Sequence, residues 1–223
     1  YWWGGVNRIS PEAPVPVCAV NDKESRLGGA ANVALNIAAM GANPILCSVV
    51  GEDYQGHQLC ELMEKQNMDT KGIVFSSNRP TTIKTRIIGN KTQMLRIDEE
   101  TDVNISLSEE KVFVAKIEEI INTEKINAII FQDYDKGVIT EGVITKIIEI
   151  AKRKNIPVTV DPKKRNFTAY KNVDLFKPNL KELKEGLKID FDNVDKDVLV
   201  EASLLLHYKQ KIDKVFITLS ERG

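Results

Sequence analysis

The stretch "NAIIFQDYDKGVITEGVITKIIEIAKRKNIPVTVDP", residues 127–162, decides the fold class. Residues 127–133 form a short, mostly apolar run that stops on Asp133. From Thr140 the apolar residues recur at helical spacing as far as residue 155. Residues 156–162 form a second apolar run, and its carboxylate is Asp161. Strand, helix, strand with both strands apolar predicts a βαβ unit, so the strands lie parallel and are covered on both faces.

The same alternation extends in both directions. Downstream, the pattern predicts a strand over 173–179, helices over 180–187 and 195–211, and a strand over 213–220. Upstream lie a predicted helix over 108–123, with Ser108 as a partial cap, and a helix over 29–39 closed by Gly41. A strand over 44–51 and a turn with a helix over 52–68 follow that helix. Two segments do not fit. Pro11, Pro14 and Pro16 make residues 6–20 an extended ribbon at a sheet edge. Residues 81–100 read as a hairpin around Gly89 and Asn90. Together these predict an accessory β-layer beside a doubly covered α/β sheet.

Composition narrows the function classes. The chain has 223 residues and a formal net charge of −1, which offers no strong field to nucleic acid or an anionic membrane. Its three cysteines, Cys18, Cys47 and Cys60, show no metal-site spacing and point to a reducing, cytoplasmic setting. No apolar run approaches membrane-spanning length. The chain opens on Tyr1 and closes on "ITLSERG", and both ends read as cut.

Open α/β sheets bind ligands beyond the C-terminal ends of their strands. Asp133, Asp161, Asn179, Thr218 and Ser220 fall there on this reading. They form either a site or a set of helix caps. In "LGGAANVALNIAAMG", residues 27–41, Gly28 and Gly29 permit close backbone approach, and Asn32 offers an amide beside helix N–H groups. Tight helix packing explains the same small residues. The stretch is neither a dinucleotide fingerprint nor a Walker loop. In "KPNLKE", Asn179 and Glu182 are spaced to serve Mg²⁺ beside phosphates, or equally to form a capping box. Lys84 and Arg86 share one strand face and suit either a phosphate or solvent. Lys136, between Asp135 and Gly137, is similarly open.

The order "RISPEAPVPV", "GGAANVA", "GEDYQG", "TTIKTRII", "QDYDKG", "VDPK", "KPNLKE" and "ITLSERG" resembles the ribokinase-like, PfkB-type carbohydrate kinases, and within them the heptose 7-phosphate kinases. The resemblance implies a three-layer αβα fold with a β lid built from about 6–20 and 81–100, and a homodimer through that lid. It implies ATP and Mg²⁺ as cofactors, with transfer to the anomeric hydroxyl of a heptose 7-phosphate. Gly28, Gly29, Asn32, Lys84, Arg86, Asp133 and Lys136 match substrate-binding positions. Lys163, Asn179, Glu182, Thr218, Ser220 and Gly223 match nucleotide-binding ones, with Glu182 meeting the metal through water. The family's Gly-Ala-Gly-Asp segment, which carries the general base, is not in residues 1–223, so these residues alone are expected to be inactive or nearly so. The other readings are a kinase of another sugar phosphate or a nucleoside, and a non-catalytic binding or dimerisation module.

Overall fold

The computed structural model describes residues 1–189 and 195–222, and the chain divides into two compact units, Tyr1–Thr101 and Asp102–Gly223. The first unit opens with two antiparallel strands, β1 (Trp2–Ile9) and β2 (Pro16–Lys23). Helix α1 (Gly29–Ala39) follows, then strand β3 (Ser48–Gly51), helix α2 (Tyr54–Lys65) and strand β4 (Ile73–Ser76). Strands β5 (Ile83–Gly89) and β6 (Thr92–Glu99) close the unit as an antiparallel hairpin. Residues 6–20, expected as one extended ribbon, are instead parts of two paired strands with Pro11 and Pro14 in the bends between them, and these strands and the hairpin join in one sheet of order β2-β1-β5-β6, because β1 pairs β5 in parallel. The proline-bearing β2 takes an edge, where a missing N–H breaks no ladder.

The hairpin turn lies one residue further along than the dipeptide Gly89-Asn90 suggests. Asn90 and Lys91 both adopt positive φ, 50° and 67°, and Gly89 pairs Thr92. This primed-turn geometry matches strand twist, and Asn tolerates it well. The Asn90 side chain also bonds the Val6 backbone at 3.2 and 3.0 Å. Strand β3 begins only at Ser48, where its N–H reaches the Gly72 carbonyl at 3.2 Å. Its partner β4 is four residues long, too short for its sequence to show a period. Ala31, Ala34, Val50, Met63, Met68 and Ile73 form the apolar core of this unit.

"GEDYQG" works here as a structural lock. Asp53 caps α2 by accepting the Gly56 N–H at 2.7 Å, and it also accepts the Thr81 N–H and hydroxyl at 2.8 and 2.7 Å. Thr81 in turn accepts the Gly51 N–H at 2.9 Å. Burial works to raise the Asp53 pKa, but these hydrogen bonds outweigh it and hold the carboxyl below its ordinary value.

In the second unit, helix α3 (Leu107–Thr123), strand β7 (Ile129–Gln132), helix α4 (Glu141–Arg153) and strand β8 (Val158–Asp161) realise the expected alternation. Strand β9 (Leu175–Phe176), helices α5 (Leu180–Leu187) and α6 (Lys196–Gln210) and strand β10 (Lys214–Val215) complete it. The sheet order is β10-β9-β8-β7, with every pairing parallel. The cap of α3 is Ser106 rather than Ser108. Ser106 accepts from the Glu109 N–H at 3.3 Å, and Glu109 returns a bond to the Ser106 N–H at 2.8 Å. Thr140 caps α4 as expected, accepting the Val143 N–H at 3.1 Å.

The final strand is shorter than residues 213–220. Beyond β10 only single links persist, Phe216 N–H to Phe176 O at 2.9 Å and an isolated bridge between Thr218 and Asn179. Ser220 takes positive φ, 59°, and starts a short 3₁₀ turn (Ser220–Arg222), so it ends no strand. Val143, Ile144, Ile147, Val158, Val160, Phe176, Leu183 and Leu206 form the core of this unit and are almost fully buried.

Candidate active site

Because the four strands of the second unit are parallel, their C-terminal ends share one rim. β7 delivers Gln132 and Asp133, β8 delivers Asp161, β9 leads through Lys177 to Asn179, and β10 leads to Thr218. The groups on this rim are cross-linked. Asp161 Oδ2 accepts from Gln132 Nε2 at 3.2 Å and pairs with Lys177 Nζ at 3.1 Å.

Asp133 is only 2% exposed, and both of its carboxylate oxygens accept from protein groups. Oδ1 takes the Asp135 N–H at 2.7 Å, and Oδ2 takes Asn166 Nδ2 at 3.0 Å and the Tyr170 hydroxyl at 2.9 Å. Asn166 Nδ2 also reaches the Ile139 carbonyl at 2.8 Å. Gln210, from α6, donates to the Phe167 and Tyr170 carbonyls, both at 2.9 Å. Burial first, then the Asp133 charge, push the Tyr170 pKa up, so its hydroxyl remains a donor. The carboxylate expected to face a ligand is therefore the post that ties two loops together. Those loops carry Lys136 and Lys163. Lys136 is half-buried and precedes Gly137, whose φ of +73° favours glycine. Arg165 braces the same region by pairing Asp135 at 2.7 Å and Asp102 at 3.2 Å.

The start of α5 carries the capping box. Asn179 Oδ1 accepts the Glu182 N–H at 2.8 Å, and Glu182 Oε2 accepts the Asn179 N–H at 2.9 Å. Lys163 pairs with the other oxygen, Glu182 Oε1. Burial opposes the charge on Lys163, but the Glu182 hydrogen bond and the nearby Asp161 and Asp133 charges outweigh it and raise its pKa. Capping explains the Asn179–Glu182 spacing, and it leaves Glu182 Oε1 turned to a cation. Lys163, Glu182, Asn179 and Thr218 are thus brought together, with Asp161 beside them. Gly223 lies outside the described residues.

In the first unit, Gly28 and Gly29 are exposed and open α1, and Gly29 adopts φ of +54°. A Cβ placed on Gly28 would meet no atom within 4 Å, so packing does not require glycine there. Asn32 is exposed on the first turn. Lys84 pairs with Asp98 at 2.9 Å and Glu100 at 2.7 Å. Arg86 has a different environment. It donates to the Lys84 carbonyl at 3.3 Å and lies over the Tyr1 ring at 5.4 Å.

The sequence reading missed Asn166, Tyr170, Lys177 and Gln210. A polar residue in the loop after an Asp-ended strand, as in "NFTAY", was the available signal for the first two.

A family model for "pfkB family carbohydrate kinase" matches residues 5–223. The chain belongs to the pfkB family of carbohydrate kinases. It is 40% identical over 223 residues to the bifunctional protein HldE of Wolinella succinogenes and 37% identical to that of Haemophilus influenzae. All of the chain is covered in both cases, but only 46% and 45% of those proteins, so it spans about half their length. Among solved structures, phosphofructokinase-2 from Escherichia coli in complex with fructose-6-phosphate superposes with a TM-score of 0.69 at 19% identity. That match covers 100% of this chain and 71% of the other, and it shows a shared pfkB-type, ribokinase-like fold.

Proposed function

We propose that this chain is the kinase part of an enzyme that moves the γ-phosphoryl group of ATP to the anomeric hydroxyl of a heptose 7-phosphate. The observation that carries the phosphoryl-transfer reading is the rim of the second unit, where α5 opens on a carboxylate fixed by its own backbone and faced by Lys163. Helix N-termini and lysines suit phosphate oxygens. The heptose reading rests on "RISPEAPVPV" and "GGAANVA", the segments specific to that subfamily.

Among the described residues no three His, Cys, Asp or Glu side chains gather to hold a metal ion. A resident metal does not suit this donor set. A Mg²⁺ that arrives on the phosphates and meets one carboxylate through water does, and Glu182 is that carboxylate. The ion would neutralise charge that develops on the transferred group. Lys163 and the α5 N–H groups orient the phosphates, and Asp133, through Asn166 and Tyr170, keeps the loop carrying Lys136 in place. Gly28, Gly29, Asn32 and Arg86 are the groups proposed for the sugar phosphate, and Thr218, Ser220 and Gly223 for the nucleotide. Lys84 already has two acid partners, so Arg86 is the better placed of the pair to take an anion.

The accessory sheet exposes Val20, Met94, Leu95 and Ile97, and a second copy of the chain is the proposed cover. A cytoplasmic setting is proposed from the three free cysteines, and among the described residues no helix is long and apolar enough to cross a membrane.

The test is phosphoryl transfer from ATP to heptose 7-phosphate, fructose 6-phosphate and a nucleoside in parallel, by residues 1–223 and by a chain extended through a Gly-Ala-Gly-Asp segment. A general base typically contributes about 10²–10⁴-fold, so the longer chain should be faster by that order. Equal rates would refute the assigned base, and preference for another acceptor would refute the heptose.

A further inference from the structure

We infer that Lys163 is a placeholder cation for Glu182, which it yields to the hydrated metal of an incoming nucleotide, so that lysine and the water-bearing metal compete for one oxygen. The inference rests on the nucleotide reading of this rim. Glu182 is buried, with its side chain 9% exposed, and a buried carboxylate left without a partner is strongly destabilising. Its two oxygens are held in different ways. Oε2 accepts a backbone N–H, that of Asn179, which cannot leave without opening the first turn of α5. Oε1 meets only the end of a flexible side chain that is itself 38% exposed. A cation entering from solvent therefore has one oxygen open to it, and reaching it means displacing Lys163.

The other acids near Lys163 do not depend on it. Asp161 holds Lys177 and Gln132, and Asp133 holds Asn166, Tyr170 and the Asp135 N–H. Lys163 can thus turn from Glu182 to a phosphate oxygen and strand only a carboxylate that the metal then neutralises. The exchange keeps the charge at Glu182 compensated before and after binding, and no covalent bond is made or broken in it.

Manganese binding, followed by loss of the free-ion paramagnetic resonance signal, tests this on the wild-type chain, Lys163→Met and the double variant Lys163→Met/Glu182→Gln. Removing a competitor should tighten Mn²⁺ binding about tenfold in Lys163→Met, within the usual range for coupled sites. The double variant should lose the gain. Equal affinity in the wild type and Lys163→Met overturns the inference, as does a gain that survives Glu182→Gln. If Lys163→Met does not fold, the acylation rate of Lys163 in the wild-type chain, read by mass spectrometry, replaces it. Millimolar Mn²⁺ should raise that rate, and an unchanged rate overturns the inference. Loss of ADP-induced thermal stabilisation would instead remove the kinase reading, and it is measured without reference to the manganese series.

Discussion

Lys84 and Lys163 make similar-looking ion pairs in the two units, and they differ in what holds the acid. The lysine side chains are about equally exposed, 34% and 38%. Both pKa values are raised by carboxylates that outweigh burial. Around Lys84, Asp98 and Glu100 stand at 25% and 22% exposure on an open sheet, and Arg96 shares Asp98 at 2.9 Å. Opposite Lys163, Glu182 is tied into a helix cap and nearly closed off from water. The first arrangement is a charge ladder that salt can screen. In the second, the backbone chooses where a negative charge points. A fixed acid, more than the lysine beside it, marks a place where a ligand's cation could be received.

The comparison breaks most readily at the buried acid behind the rim. Asp133→Ala leaves the Tyr170 hydroxyl unpaired in the interior and strips the Asn166 amide of one of its two partners, and should cost about 3 kcal/mol in urea unfolding. A cost below about 0.5 kcal/mol, typical of a surface change, would remove the distinction between the two regions. Next comes the anchor of Glu182. Asn179→Ala deletes the α5 cap and should cost about 1 kcal/mol, with Asn179→Asp largely sparing stability. An unchanged melting temperature in Asn179→Ala would mean that the cap does not fix the acid.

Asp53 sharpens the comparison through pH. Its pKa is lowered in the folded chain, so its contribution is fully present above the ordinary carboxylate pKa of about 4 and is lost as pH falls through the folded value. Asp53→Asn should flatten the acid limb of a stability-versus-pH curve, and a limb of unchanged slope would contradict the lock around Thr81. The smallest effect is expected at the open ladder. Lys84→Ala should change stability by no more than about 0.5 kcal/mol, and less in high salt. A larger, salt-independent loss would place Lys84 with Lys163.

The parallel architecture was legible because "NAIIFQD" and "IPVTVDP" are apolar on both faces and Thr140 marks the helix between them. α5 was legible to the residue, since Asn179 and Glu182 state its start chemically. The short strands were not. β4 spans four residues and β10 two, and their length is set by neighbours rather than by any period. The α3 cap was misplaced because Ser106 and Ser108 compete, and only Ser106 has Glu three residues on. At the rim the sequence named the strand-end acids. It could not show that Asp133 turns inward, because that depends on Asn166 and Tyr170, more than thirty residues away.

Glu182 has two tasks, divided between the two oxygens of one carboxylate. One oxygen begins a helix and the other faces an ammonium group, so Glu182→Ala removes both at once, whereas Glu182→Gln removes the charge and keeps an acceptor for the Asn179 N–H. A chain without an acid or amide at this position must start α5 in another way. That dependence would keep such a side chain in place whether or not the rim served a nucleotide, so its presence alone is a poor indicator of activity.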